Sequence, residues 1–142
     1  MSHWQTSKLN LACSLNVLKK ALISIMPEWE RHIKEDENSN LEAKNYYGHG
    51  TKGGYKVVIT LSSGDIGFKQ NEDNTWTADY DHMSLPNAMR RVGGVEGALK
   101  TEIAAMKAKA IAETRGYQLL SDDTEGDTRV VRVLIPVNEF PA

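Results

Sequence analysis

The start of the chain changes from strand-like to helix-like spacing of its apolar residues. Residues 4–11 alternate in a half-apolar pattern typical of a strand. Ser14 follows as a predicted N-cap, because its hydroxyl can accept a hydrogen bond from a free amide of the first helical turn. One apolar side of the predicted helix consists of Leu15, Leu18, Leu22 and Ile25. Pro27 predicts the end of this helix, since it has no amide hydrogen and disfavours helix before it.

The middle of the chain predicts an antiparallel meander. Residues 55–61 form the clearest strand, and residues 65–69 return after a Ser-Ser-Gly turn. A second turn at residues 71–74 leads to a third strand over residues 75–80.

A charged and glycine-rich segment precedes the meander. Residues 28–40 are predicted as a surface excursion with a short strand around His32 and Ile33. Residues 41–47 are predicted to be extended. The four glycines of residues 48–54 predict a loop or turn.

The last third of the chain predicts a long helix. Residues 84–86 begin a short helix, because proline suits the first turn, and Gly93 with Gly94 ends it. The long helix is predicted over residues 95–115, and Gly116 is predicted to close it in a left-handed conformation. Its predicted buried side consists of Leu99, Ile103, Met106, Ala110 and Ile111.

A final hairpin of residues 117–121 and 129–137 is predicted across an acidic turn at residues 122–127. The element order β-α-(β)-β-β-β-β-α-β-β indicates an α+β fold, a mainly antiparallel sheet with two helices packed on one face. A length of 142 residues, with 40% hydrophobic and 25% charged residues, predicts one folded domain over residues 1–142. The charged and glycine-rich excursion lies at about residues 28–54 of that domain.

Charge and cysteine content limit the partners and the compartment. With 17 basic and 19 acidic side chains the net charge is −2, so no global field draws the chain onto nucleic acid or an anionic membrane. Cys13 is the only cysteine, and a reducing cytosol is the natural compartment for such a chain. No leader-like or membrane-spanning stretch is present in the sequence. We therefore predict a cytoplasmic protein that does not enter a membrane.

Residues 48–53, Gly-His-Gly-Thr-Lys-Gly, match the G-x-G-x-x-G pattern of dinucleotide sites. A dinucleotide site needs this loop between a strand and a helix, so that the helix N-terminus faces the pyrophosphate. Here the loop precedes a predicted strand. A flexible hairpin loop is therefore favoured, and no cofactor is predicted.

Aromatic and basic side chains interleave around the same loop. Cations contact phosphates while aromatic faces stack on bases, a combination used by single-strand binders. Arginine pairs grip phosphate or carboxylate in a forked geometry. The candidate contacts for a partner or a nucleic acid are Tyr46, Tyr47, His49, Lys52, Lys56, Arg90 and Arg91. The alternative is structural, since strand tyrosines usually pack across strands and lysines keep edges soluble.

Asp79, Asp81 and His82 are the nearest approach to a metal or acid–base site. No further ligand lies at a recognisable spacing, so a turn-capping role for Asp81 is favoured and no metal is predicted. Cys13 precedes a helix N-terminus that can lower a thiol pKa, but the sequence supplies neither a base nor an oxyanion site. A buried structural cysteine is favoured. The chain is therefore predicted not to be an enzyme.

Several short motifs together resemble a known family. They are Met1-Ser2-His3-Trp4, the helix over residues 15–22, Ser63-Gly64-Asp65-Ile66-Gly67-Phe68, Trp76-Thr77-Ala78-Asp79 and Arg115-Gly116-Tyr117-Gln118. Over nearly its whole length the chain resembles the Ycf-type hypothetical chloroplast reading-frame family (domain of unknown function 1257), found in plastids, cyanobacteria, other bacteria and some bacteriophages. Trp4 stands where the family commonly has Phe, and residues 28–54 are longer, which favours a bacterial or bacteriophage member.

The resemblance implies a context and no chemistry. The family has no established activity, and its relatives often occur beside genes for AAA-type ATPases and small partner proteins. The sequence thus predicts a small non-enzymatic accessory protein, an adaptor or inhibitor of a larger machine, with an AAA-type ATPase as the candidate partner. Its contacts are expected from residues 28–54. The alternatives are a single-stranded nucleic-acid-binding module using residues 46–56, and an enzyme with a site around Asp79, Asp81 and His82.

Overall fold

The computed structural model describes residues 4–45, 50–81, 85–126 and 128–139, with the side chains of residues 88, 91 and 139 excepted. The chain divides into two compact units, Met1–Leu99 and Lys100–Ala142. One folded domain over residues 1–142 stays a prediction. Among the described residues, no helix is long and apolar enough to cross a membrane.

The described residues form nine strands and three α-helices. In chain order these are β1 (Trp4–Ala12), α1 (Leu15–Ile25), β2 (Ile33–Glu35), β3 (Leu41–Lys44), β4 (Thr51–Tyr55), β5 (Val57–Ile59), β6 (Ile66–Gln70), β7 (Thr75–Asp81), α2 (Asn87–Arg91), α3 (Gly94–Thr114), β8 (Gln118–Glu125) and β9 (Thr128–Leu134). Short 3₁₀ helices lie at Pro27–His32 and Val137–Glu139. All the strand pairings are antiparallel, and the predicted α+β class is confirmed. The packing of two helices on one face stays a prediction.

Five strands of the first unit form one antiparallel sheet in the order β1-β7-β6-β5-β2. Because side chains alternate along a strand, the register assigns each residue to one of two faces. One face carries an apolar layer, all of it buried: Leu9, Ile59, Ile66, Phe68, Trp76 and Ala78. This layer forms much of the core of the first unit.

Helix α1 forms as its sequence predicts. The Ser14 hydroxyl accepts a hydrogen bond of 3.2 Å from the amide of Val17, which caps the first turn. The helix ends at Ile25, before Pro27. Three residues of its predicted apolar side are buried: Leu18, Ala21 and Leu22.

The predicted strand over residues 55–61 is divided in the structure. Tyr55 ends β4, where it pairs with Leu41 of β3, and β5 begins at Val57. Lys56 lies between the two strands, with its amide donating to the Phe68 carbonyl at 2.9 Å and its carbonyl accepting from the Asp36 amide at 2.8 Å. One run of β-forming residues therefore serves two different sheets.

The predicted loop over residues 48–54 is wrong from Thr51 onward, because Thr51–Tyr55 is strand β4. Glycines disfavour strands on their own, but β3 supplies a pairing partner for Lys52 at Ala43. A propensity argument could not include that partner. The preceding residues 46–49 lie outside the described part of the chain.

Part of the predicted charged excursion is built into the sheet. The short strand predicted around His32 and Ile33 is confirmed as β2, which sets Ile33 opposite Ile59. Trp29, in the preceding 3₁₀ helix, is buried. Residues 29–35 are thus anchored by an aromatic side chain and by strand pairing.

Helix α3 begins and ends one residue earlier than predicted. Gly93 and Gly94 separate it from α2 with positive φ angles of 93° and 76°, and Gly116 follows it at φ 71°, as a closing glycine should. The predicted buried side is partly wrong, because Ala110 and Ile111 are exposed. The buried residues of this helix in the second unit are Glu102, Ile103, Ala105 and Ala112.

The second unit contains a two-stranded sheet of β8 and β9. The predicted acidic turn over residues 122–127 is mostly wrong, because residues 122–125 belong to β8 and Glu125 pairs with Thr128. Strand β9 ends at Leu134, two residues before Pro136, which cannot donate to a strand ladder.

Gly97 is expected to tolerate no side chain. A Cβ built there would lie 1.8 Å from the Val92 carbonyl oxygen, which belongs to the backbone and cannot rotate away. We expect Gly97→Ala to lower the free energy of unfolding by about 2 kcal/mol, although alanine favours helix. Urea unfolding measures this. The control is Gly53→Ala, whose new Cβ would meet its nearest neighbour at 3.8 Å; equal losses in the two variants would contradict the expectation.

Candidate functional site

The structure places only part of the predicted aromatic and basic set. Tyr46, Tyr47 and His49 lie outside the described residues. Lys52 lies on β4, with its Nζ 5.2 Å from the centre of the half-exposed Trp4 ring. This distance is that of a cation–π pair. The sequence prediction had not included Trp4.

Tyr55, which interleaves with that set, has a structural role. Its side chain is fully buried, so it cannot present its ring to a base. Lys69 Nζ lies 4.9 Å from the ring centre, and the ring lies against Gly67, where an added Cβ would come within 2.7 Å of ring carbons. For this tyrosine the cross-strand packing alternative is confirmed.

The carboxylate of Asp79 holds Tyr55 in place. Its Oδ2 accepts a hydrogen bond of 2.6 Å from the Tyr55 hydroxyl, and its Oδ1 accepts one of 2.6 Å from the Thr6 hydroxyl. Burial, then the hydrogen bond and negative charge of Asp79, raise the pKa of Tyr55 well above its ordinary value. These contacts give Asp79 the role of a structural acceptor that joins β4 to the central sheet.

The acid–base and metal interpretation of Asp79, Asp81 and His82 gains no assembled site. Asp81 is buried on the same face of β7 as Asp79, whereas His82 lies outside the described residues. Among the described residues, no group of three or more metal-ligating side chains comes together.

Lys56 lies apart from the Lys52–Trp4 pair in its contacts. Its Nζ donates to Gln70 Oε1 at 2.9 Å, beside an open groove of about 550 Å³ at the start of α1. Cys13 also lines this groove, and its carbonyl accepts hydrogen bonds from Trp76 Nε1 at 2.9 Å and from Gln70 Nε2 at 3.2 Å. Its side chain is half-buried, so the expected buried cysteine is partly exposed.

The arginine pair is only half described. Arg90 is exposed on α2, whereas the side chain of Arg91 lies outside the described residues. The predicted forked grip on a phosphate or carboxylate stays a prediction.

The second unit is organised around Arg129. Its guanidinium donates to both carboxylate oxygens of Asp122 on β8, at 2.8 Å from Nη2 to Oδ2, and to Oε2 of the buried Glu102 on α3. Lys109 Nζ, from α3, donates to Asp122 Oδ2 at 2.7 Å. The hydrogen bonds from Arg129, and then from Lys109, hold the pKa of Asp122 well below its ordinary value. Two cations and two carboxylates thus fix the helix to the hairpin.

The second unit also carries an exposed apolar surface. Among the described residues, every large hydrophobic side chain that is strongly exposed lies between residues 111 and 137. These side chains, 47% to 86% exposed, are Ile111, Leu119, Leu120, Leu134 and Val137. No described residue of β8 or β9 is buried. We call these five residues the apolar surface.

Sequence reasoning missed both the Arg129 cluster and the apolar surface. A signal for the cluster was present, since Glu102 and Lys109 lie two helical turns apart on one side of α3. A signal for the surface was the adjacent pair Leu119 and Leu120, which departs from strand alternation. Exposure itself depends on the whole fold.

Comparison of the chain with protein-family models, with curated proteins and with solved structures finds no match.

Removing the Tyr55 hydroxyl should weaken the first unit. Tyr55→Phe leaves one oxygen of the buried Asp79 without its donor, and we expect a loss of about 1 to 2 kcal/mol in the free energy of unfolding. Tyr117→Phe is the control, because its hydroxyl makes only an exposed contact of 3.5 Å with Arg115. Thermal and urea unfolding compare the two; a Tyr55→Phe variant as stable as the control would contradict the structural role.

Removing the Arg129 guanidinium should cost much more than removing a surface arginine. Arg129→Met leaves Glu102 buried without this charge partner, so we expect a loss of about 3 kcal/mol in unfolding free energy. Arg132→Met breaks only an exposed 2.8 Å pair with Glu125 and should cost under about 1 kcal/mol. Adding Glu102→Met to Arg129→Met should recover most of the loss. Equal costs for the two arginines would show that the cluster does not hold the hairpin.

Proposed function

We propose that this chain is a small non-enzymatic accessory protein that acts by protein–protein contact through the apolar surface of its second unit. The observation that carries the proposal is the confinement of the strongly exposed large hydrophobic residues, among those described, to residues 111–137. Exposed apolar patches on folded proteins are characteristic of interaction sites.

The hairpin itself supports this assignment. An isolated two-stranded sheet is marginally stable in water, and β8 and β9 contain no buried residue among those described. A partner that covers Leu119, Leu120 and Leu134 would remove apolar area from water without first disrupting a packed core. The interface is thereby moved from residues 28–54, where the sequence had suggested it, to the second unit.

The partner class rests on the family resemblance. A larger machine of the AAA-type ATPase class is the candidate, with this chain as its adaptor or inhibitor. A cytoplasmic location is part of the same proposal, as is membership of the Ycf-type family.

Single-stranded nucleic-acid binding is the second candidate, and the Lys52–Trp4 pair favours it. A half-exposed indole beside an ammonium group can stack on a base while the cation meets a phosphate. The burial of Tyr55 removes one ring from the surface that the sequence suggested.

An affinity purification from the chain's own host, with and without nuclease, tests both candidates. We expect one dominant protein partner that survives nuclease and is retained at least about tenfold less by a Leu120→Ser/Val137→Ser variant. Both positions are exposed, so this variant should fold normally. The matched control is Gln5→Ser/Glu72→Ser, at exposed polar positions of the first unit.

Three outcomes decide between the candidates. Capture that is lost in the leucine–valine variant and kept in the control supports the accessory-protein proposal. Capture that is unchanged in both variants, or no reproducible partner, refutes it. Partners that disappear with nuclease favour the second candidate, which then requires that Lys52→Ser weaken binding and reduce its dependence on salt.

A further inference from the structure

The sheet of the second unit ends at β9 without a neighbour. In the part of the chain that the structure describes, β9 pairs only with β8. One row of its backbone amides and carbonyls therefore has no strand partner in this chain. Folded proteins normally protect such edges with charges, prolines or bulges, because an unprotected edge pairs with another strand.

The two edges of this hairpin are protected unequally. Strand β8 has a register shift between Leu119 and Ser121, and it carries Asp122, Asp123 and Glu125. Strand β9 has no such shift along Thr128–Leu134 and contains no proline or acidic residue. Three of its seven residues are valines, which favour strands. Only the β8 edge has these protections.

The charges of β9 are already neutralised within the chain. Arg129 is bound to Asp122 and Glu102, and Arg132 forms a 2.8 Å pair with Glu125. The edge therefore offers no uncompensated charge that would select an acidic peptide. A neutral, β-branched strand suits it better, and β9 of another copy has that composition.

Register arithmetic favours a second copy. When two β9 strands run antiparallel about Val131, all seven residues of Thr128–Leu134 find a partner. Arg129 then faces Val133, Val130 faces Arg132, and Val131 faces Val131. Moving the centre to Arg132 would set two guanidinium groups directly opposite, and moving it to Val130 would leave Leu134 beyond the paired stretch. Like charges opposed across strands are destabilising, so length and charge select the same register.

Space for the second strand is present beside β9. An open groove of about 480 Å³ lies between this strand and α3, and its lining includes Ala104, Ala108, Thr128 and Val131. In the register centred on Val131, valine side chains of the second copy would lie on the side of the sheet that faces this groove. The alanines of α3 leave room for them.

We propose that two copies of this chain associate through β9, antiparallel and centred on Val131, to form one four-stranded sheet in the order β8-β9-β9-β8. The association is two-fold symmetric, so it closes at two copies. It does not depend on the accessory-protein proposal, because it requires only the purified chain.

A charge swap at the symmetry centre tests the proposal. Val131→Lys and Val131→Glu each place two like charges opposite each other in the dimer, whereas a mixture of the two variants places opposite charges there. Sedimentation velocity on purified protein, at concentrations on the order of 1 to 100 μM, reports the mass of each species. Far-UV circular dichroism checks that each variant is folded.

We expect the natural chain to dimerise in this range and each variant alone to dimerise at least about tenfold more weakly. The equimolar mixture should recover a dimer with one copy of each, which a misfolded variant could not do. The proposal is overturned if the natural chain is monomeric throughout, including when another protein or peptide then occupies β9. It is also overturned if each variant dimerises like the natural chain, or if the mixture recovers nothing.

Discussion

A single guanidinium organises the second unit. Arg129 joins Glu102 of α3 to Asp122 of β8, so one side chain of β9 connects the helix to both strands. Removing charges from water costs several kcal/mol per ion, and only well-placed partners offset that cost. The side of α3 that faces the hairpin is therefore set by ion contacts and small residues. Apolar residues such as Ile111 are left exposed as a result.

The first unit uses a comparable device without a cation. Asp79 accepts from the hydroxyls of Tyr55 and Thr6, and Gly67 makes room for the tyrosine ring. In both units a buried carboxylate joins elements that are far apart in the sequence, next to residues small enough to permit close approach. Asp65 repeats the pattern, because its carboxylate accepts from the amides of Lys44 and Leu61.

Local signals predicted the elements whose causes lie within a few residues. The Ser14 cap, the break at Pro27, the turn between β6 and β7 and the closing Gly116 are of this kind. Prediction was wrong where a distant partner decided the outcome. Strand β4 forms at glycines because β3 pairs with it, and Asp122 belongs to a strand, with Arg129 as its partner.

The candidate interaction surface was the least predictable feature. Lys52 was expected to act with neighbouring tyrosines, yet its aromatic partner is Trp4, from another strand. Leu120 and Val137 are apolar residues in the sequence like any others. Their exposure follows from the way the hairpin is held against α3, and no periodicity in a single segment reports that geometry.

The register shift of β8 also affects how the protein behaves when it is concentrated. Cross-β growth requires a flat strand edge that can template the next chain, and an irregular edge carrying Asp122, Asp123 and Glu125 is a poor template. With that edge blocked, the addition of strands cannot proceed from the β8 side of the hairpin. A small chain with so much uncovered leucine and valine thus keeps a barrier to fibril formation in its own backbone.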